Sequence, residues 1–218
     1  MNRIFLFSSV VALTFFAFSC SNSGQKAETG DAKAVSVTEG ELTLNVDPSN
    51  STLEWEGSKP TGKHHGTINI SKGEIHITDG KLVGGNFTID MNSIVDLDLE
   101  DAESNGKLVG HLKSADFFDV EKFPTSLFEI TSVEAIGGSN ENLNVTGNLT
   151  LKETTASVSF PVTYKLDTTG LKVESSIFII DRSVWSVKYG SRKFFDNLKD
   201  SYISDEISLK VTINAKVD

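Results

Sequence analysis

One cysteine occurs in 218 residues. No intramolecular disulfide can form, so stability must come from a packed core, and a chain of this length can supply one. Positive charge is also scarce. Twenty Lys and Arg face 30 Asp and Glu, a formal charge of −10. That argues against nucleic-acid binding, which needs a basic face, and against docking on anionic lipid by charge alone. No G-x-S-x-G nucleophile elbow and no G-x-x-x-x-G-K-[ST] phosphate loop is present. No 20–50-residue repeat is visible, which excludes a solenoid or propeller. The longest apolar run, Ile4 to Phe18, falls short of the roughly 20 residues that cross a membrane as a helix.

That run is nonetheless informative. It follows the basic start Met1-Asn2-Arg3 and leads into Ala17-Phe18-Ser19-Cys20. The pattern resembles a bacterial lipobox, in which the thiol is acylated and the chain is cut just before it. The alternative is an ordinary secretory signal with an incidental cysteine, but a lone leftover thiol is unusual in an exported protein. Residues 1–19 are therefore expected to be a lipoprotein signal peptide and Cys20 the lipidation site. Removing 1–19 takes away Arg3 and no acid, leaving 19 basic against 30 acidic residues, a charge of −11. Membrane attachment would then rest on acyl chains. Residues 20–40 are small and polar, without an aromatic, and read as a flexible tether. Twenty such residues span roughly 25 Å.

From residue 41 the dominant period is two. Val158, Phe160, Val162, Tyr164 and Leu166 share one face, against Ser159, Pro161, Thr163 and Lys165. Ile207, Leu209, Val211, Ile213, Ala215 and Val217 repeat the pattern, as do Leu143, Val145, Leu149 and Leu151. Such alternation predicts strands with one buried and one wet face. Weaker alternation recurs over 42–46, 52–56, 65–70, 74–78, 82–91, 126–134 and 171–180, with turn chemistry between. Short helices are expected around 107–113 and 191–201. Eight to ten one-faced strands give an all-β domain over 41–218, a closed barrel or a sandwich. Exposed edges invite aggregation, which favours closure.

The run His111-Leu112-Lys113-Ser114-Ala115-Asp116-Phe117-Phe118-Asp119, with Phe123-Pro124 and Phe128-Glu129-Ile130, resembles the signature block of the YceI-like family of secreted bacterial barrel proteins. Gly147-Asn148-Leu149-Thr150-Leu151-Lys152, Val46-Asp47-Pro48 to Leu53-Glu54-Trp55, Gly66, and Ile180-Asp181-Arg182-Ser183 with Trp185 are similar to further blocks. The sequence departs from the family pattern at Glu153 and Ser186, where glycine is usual, and the segment 188–203 is longer. The resemblance implies an extended, lipocalin-like antiparallel barrel of about eight strands with one or two short helices. It implies a long-chain apolar ligand inside: a polyisoprenoid, fatty acid or fatty amide. It implies no catalysis and no cofactor, and it leaves a homodimer open. The alternative is a solid barrel acting as a protein-interaction module of the cell envelope, where the protein would face the periplasm or cell surface.

Candidate ligand contacts inside the barrel are Phe87, Phe128, Ile130, Val158, Phe160, Val162, Tyr164 and Trp185, which could equally fill a solid core. Arg182 is the candidate for a ligand head group, because a guanidinium can bind phosphate bidentately. Its rival role, with Asp116, Asp119 and Asp181, is to cap a helix and pin a loop. His64 and His65 are adjacent, so in a strand their rings point to opposite faces. No metal site is expected from them.

Overall fold

The computed structural model describes residues 24–35, 40–138 and 142–216. The signal segment 1–19 and Cys20 lie outside the described residues. In chain order the elements are β1 (Gln25–Lys26), β2 (Glu28–Asp31), β3 (Leu42–Val46), β4 (Thr52–Lys59), β5 (Gly62–Thr78), β6 (Lys81–Asp96), α1 (Ala102–Lys113), β7 (Thr125–Ala135), β8 (Asn142–Leu151), β9 (Thr154–Asp167), β10 (Gly170–Ser175), β11 (Phe178–Asp181) and β12 (Glu206–Lys216).

Eight strands close a ring in the order β4, β5, β6, β7, β8, β9, β10 and β12, antiparallel throughout, with β12 returning to β4. The alternation explains the closure. The inward set is predominantly apolar, so curling the sheet on itself buries nearly all of it at once and leaves no long edge. Val158, Phe160, Val162 and Tyr164 are buried, as are Val211, Ile213 and Ala215.

Two strands of the ring are built end to end. β3 and β4 both lie between β5 and β12, separated by the Asp47–Asn50 turn. β10 and β11 succeed each other along β12, but β10 also pairs with β9 whereas β11 does not. That leaves β9 and β11 each with an open edge at one end of the barrel.

The N-terminal segment fills this opening. β1 pairs parallel with β11, Gln25 opposite Phe178 and Lys26 opposite Ile179. β2 pairs antiparallel with β9, from Glu28 opposite Ser159 to Asp31 opposite Ala156. Ala27, between them, is buried and donates its N–H to Ile179 O at 2.9 Å. Beyond β2, Lys33 donates its N–H to Asn148 Oδ1 and accepts from Asn148 Nδ2. The described part of the expected tether is thus a strap in the barrel wall. Its polar composition does not prevent this, because two open strand edges hold it through backbone hydrogen bonds, which need no apolar side chain.

α1 crosses the same end of the barrel. Asp101 caps it by accepting from Ser104 N–H at 2.8 Å, and Lys107 pairs with Glu103 one turn back. The second expected helix is absent. Within 191–201 only Lys199–Ser201 makes a single 3-10 turn, while an unforeseen 3-10 helix runs over Arg182–Trp185. The charged and aromatic residues of 191–199 instead form an irregular loop with Phe194 and Phe195 half exposed.

Candidate functional site

The two halves of the barrel interior differ. At the end formed by the β5–β6 and β9–β10 hairpins the inward side chains meet. Phe87 stacks on Phe128 at 5.2 Å between ring centres, Phe128 lies 5.6 Å from Phe160, and Phe160 stacks on Phe178 at 4.1 Å. Only about 30 Å³ remains open there, among Phe87, Phe128, Ile130, Phe160 and Val162. Tyr164 seals that end by donating its hydroxyl to Gly80 O at 3.2 Å.

At the α1 end the walls stand apart around a cavity of about 230 Å³. Leu53, Trp55, Ile68, Met91, Leu149 and Ile207 are among its wall residues, and Leu108, Leu112 and Phe118 cover it. Leu149, Ile207 and Leu209 point inward yet are only half buried. A void explains this, since nothing packs on their inner side.

The cover is made by the signature block. Ser114 ends α1 by returning both its N–H and its hydroxyl to His111 O. A tight turn follows, with Phe117 and Asp119 N–H donating to Ser114 O and Asp119 at φ 50°. Phe117 and Val120 are buried as plugs, and Phe118 lies against the cavity. His111 meets Tyr189 edge-on at 4.4 Å, which ties α1 to the loop after the 3-10 helix.

The eight interior residues expected to touch ligand do not line this cavity. Phe87, Phe128, Ile130, Phe160 and Val162 close the opposite half. Val158 and Tyr164 are packed in the core. Trp185 is fully buried with its Nε1–H donated to Leu149 O at 2.8 Å. Period two tells which way a side chain points, but not how deep along the barrel the filling stops.

Arg182 also departs from expectation. It borders the cavity and is fully buried, yet its guanidinium is engaged by protein. It donates to Ser204 O (3.0 Å), Val187 O (2.6 Å), Tyr189 O (2.8 Å) and Ile203 O (3.1 Å), with Asp205 at 3.5 Å. Burial pulls its pKa down and the carboxylates of Asp205 and Asp181 oppose this. Four of its five N–H groups are used, so it pins the loop and offers no fork to a phosphate. Asp181 caps the 3-10 helix through Ser183 N–H and pairs with Lys193. Burial would raise its pKa, but the Lys193 ammonium and the Ser183 hydroxyl and amide outweigh that and hold it below the usual carboxylate value.

Sequence reasoning missed two other groups. Trp55 Nε1 and Ser126 Oγ are buried without a protein partner, and both residues line the cavity. Alternation marks Trp55 only as large and Ser126 only as small, so neither carries a sequence signal. His65 is 58% exposed, while His64 is 26% exposed and borders the mouth; both rings approach Asp98.

The comparisons agree with this architecture. BcnA of Burkholderia cenocepacia superposes with a TM-score of 0.61 at 23% identity, over 78% of this chain and 99% of that one. A polyisoprenoid-binding domain from Saccharophagus degradans gives 0.59 at 16%, over 82% and 100%. A UPF0312 protein of Pseudomonas putida is 37% identical over 87 residues, 37% of this chain and 44% of that one. Protein YceI of Salmonella newport is 42% identical over 74 residues, 34% of each. These matches span under half the length of the curated relatives. A family model for the YceI-like domain matches residues 44–215, nearly the whole barrel but not the N-terminal strap. The chain belongs to the YceI-like family.

Proposed function

We propose that this protein is a non-enzymatic, envelope-anchored carrier that holds one long-chain apolar ligand in the cavity beneath α1. The cavity is the observation that carries this reading. At the roughly 30 Å³ that one such group takes up in a liquid, it admits about eight methylene-sized groups. Each buried methylene contributes about 0.8 kcal/mol. About eight give roughly 6 kcal/mol, within the 4–15 kcal/mol that association costs, so the length of chain buried decides affinity. The Saccharophagus degradans neighbour is described as polyisoprenoid-binding, which supports an isoprenoid ahead of a fatty acid or amide. Trp55 Nε1 and Ser126 Oγ supply donors for one or two ligand oxygens. The lining is otherwise a packing surface, suited to transport, storage or sequestration. Anchoring rests on the Ala17-Phe18-Ser19-Cys20 pattern and would place the domain in the periplasm or at the cell surface.

Native mass spectrometry of protein extracted from cells tests both parts. The expected result is a chain beginning at an acylated Cys20, with a separate long-chain lipid that leaves on denaturation. Repeated isolation without any such adduct, together with no rise in melting temperature on adding C15–C40 isoprenoids or fatty acids, would sink the carrier reading. An unmodified Cys20 would sink the anchor.

A further inference from the structure

We propose that His64, Asp96 and Asp98 form a divalent-cation site at the cavity mouth, with a preference for a zinc-like ion. One ligand atom from each residue lies within 4.8 Å of the others. Zinc bound at about 2.0–2.2 Å in tetrahedral geometry holds its ligands roughly 3.3–3.6 Å apart. A small inward movement of the three side chains therefore completes three positions of such a shell.

The surroundings call for a positive charge. Asp96 is 6% exposed. Its Oδ1 accepts from Leu99 N–H at 2.9 Å and Asn105 Nδ2 at 3.2 Å. Its Oδ2 is buried and has no hydrogen-bond partner. Asp98 Oδ1 accepts from His65 N–H at 2.8 Å, with the His65 ring at 3.6 Å, and Asp98 Oδ2 lies 3.0 Å from His64 Nδ1. Two carboxylates side by side, one with an oxygen that has no hydrogen-bond donor and no access to water, are costly unless a cation or a shared proton neutralises them, and a cation does so for both at once. One imidazole with two carboxylates is a nitrogen and oxygen donor set that suits a borderline ion such as Zn²⁺.

The placement gives the site a role. His64 comes from β5, Asp96 ends β6, and Asp98 begins the link to α1, while Asn105 of α1 bonds Asp96. An ion there fastens the base of the cover to the barrel rim, beside a cavity that His64 borders. The site stands independently of which ligand the cavity holds.

The test is isothermal titration of Zn²⁺ into the full chain, without a polyhistidine tag, in a phosphate-free buffer. One ion per chain is expected. Asp96→Asn and Asp98→Asn should each weaken binding at least tenfold, as should His64→Ala, while His76→Ala at the far end of β5 should stay within twofold. Zn²⁺ should raise the melting temperature of the parent but not of Asp98→Asn. Asp98→Asn keeps its hydrogen-bond acceptor and serves if Asp96→Asn does not fold. Absence of zinc binding to the parent overturns the proposal, and so does binding that survives in both His64→Ala and Asp98→Asn.

Discussion

At the residue scale the strongest commitment is Arg182. A buried guanidinium feeding four carbonyls is stable only while all of its partners stay in place. Arg182→Lys keeps the charge but not the fork. It should lower the free energy of unfolding by about 2–4 kcal/mol, read from urea midpoints, with or without lipid. A loss of ligand at unchanged stability would instead restore the head-group role. Asp181 makes a pH prediction. Its folded pKa is held down by Lys193 and Ser183, so its contribution is fully present above the ordinary carboxylate value near 4. It is lost as pH falls through the lower folded value. Melting temperature should drop from pH 5 toward pH 3, and Asp181→Asn should flatten that slope; an equal slope in the variant would contradict this. The signature block is visible as letters, and the sequence offers Asp181 and Arg182 as a cap and a pin, with Arg182 the head-group candidate as well. What letters could not show is that Arg182 has already spent its donors on backbone.

At the element scale, strands were legible wherever one face is dry. β8, β9 and β12 follow the period-two pattern because each buries one row against the interior, although the outward Thr146, Asn148 and Ser157 are buried as well. Of α1 only 107–113 was legible; the first turns, which start at Ala102 behind the Asp101 cap, were not. The strap was not, since nothing about Gln25–Asp31 announces a strand until the vacant edges of β9 and β11 exist. Removing residues 24–35 should therefore leave the ring folded but less stable. It should raise amide hydrogen exchange at 156–159 and 178–179 by at least tenfold, with β6 and β7 unaffected. Unchanged exchange at those positions would show that the strap only rests on the surface. The segment 191–201, where the sequence leads one to expect a helix, makes only the single turn Lys199–Ser201. In the fold Arg192 instead lies over Tyr202 at 3.5 Å and Lys188 over Phe194 at 5.0 Å, contacts that hold an irregular path.

At the scale of the whole molecule, closure into a ring was legible, but the division of its interior was not. Facing is a property of a strand, whereas the boundary between filled and hollow depends on how eight registers bring particular rings to one level. Filling the hollow half gives a direct check. Ile207→Trp places a large side chain where a half-buried one borders the void. Lipid should be lost from native mass spectra while the fold and melting temperature are kept or improved; retention of full lipid occupancy would put the ligand elsewhere. The strap bears on where an acylated Cys20 would hold the molecule. Only three residues separate Cys20 from Gly24, whose backbone packs beside Ile177 and Ile179 on the barrel flank. Fully extended, the stretch from Cys20 to Gly24 reaches about 14 Å, well short of what a loose twenty-residue leash would give. An acylated Cys20 would moor the domain by its side, close against the lipid and with little room to swing, so cargo would be exchanged where the protein is berthed.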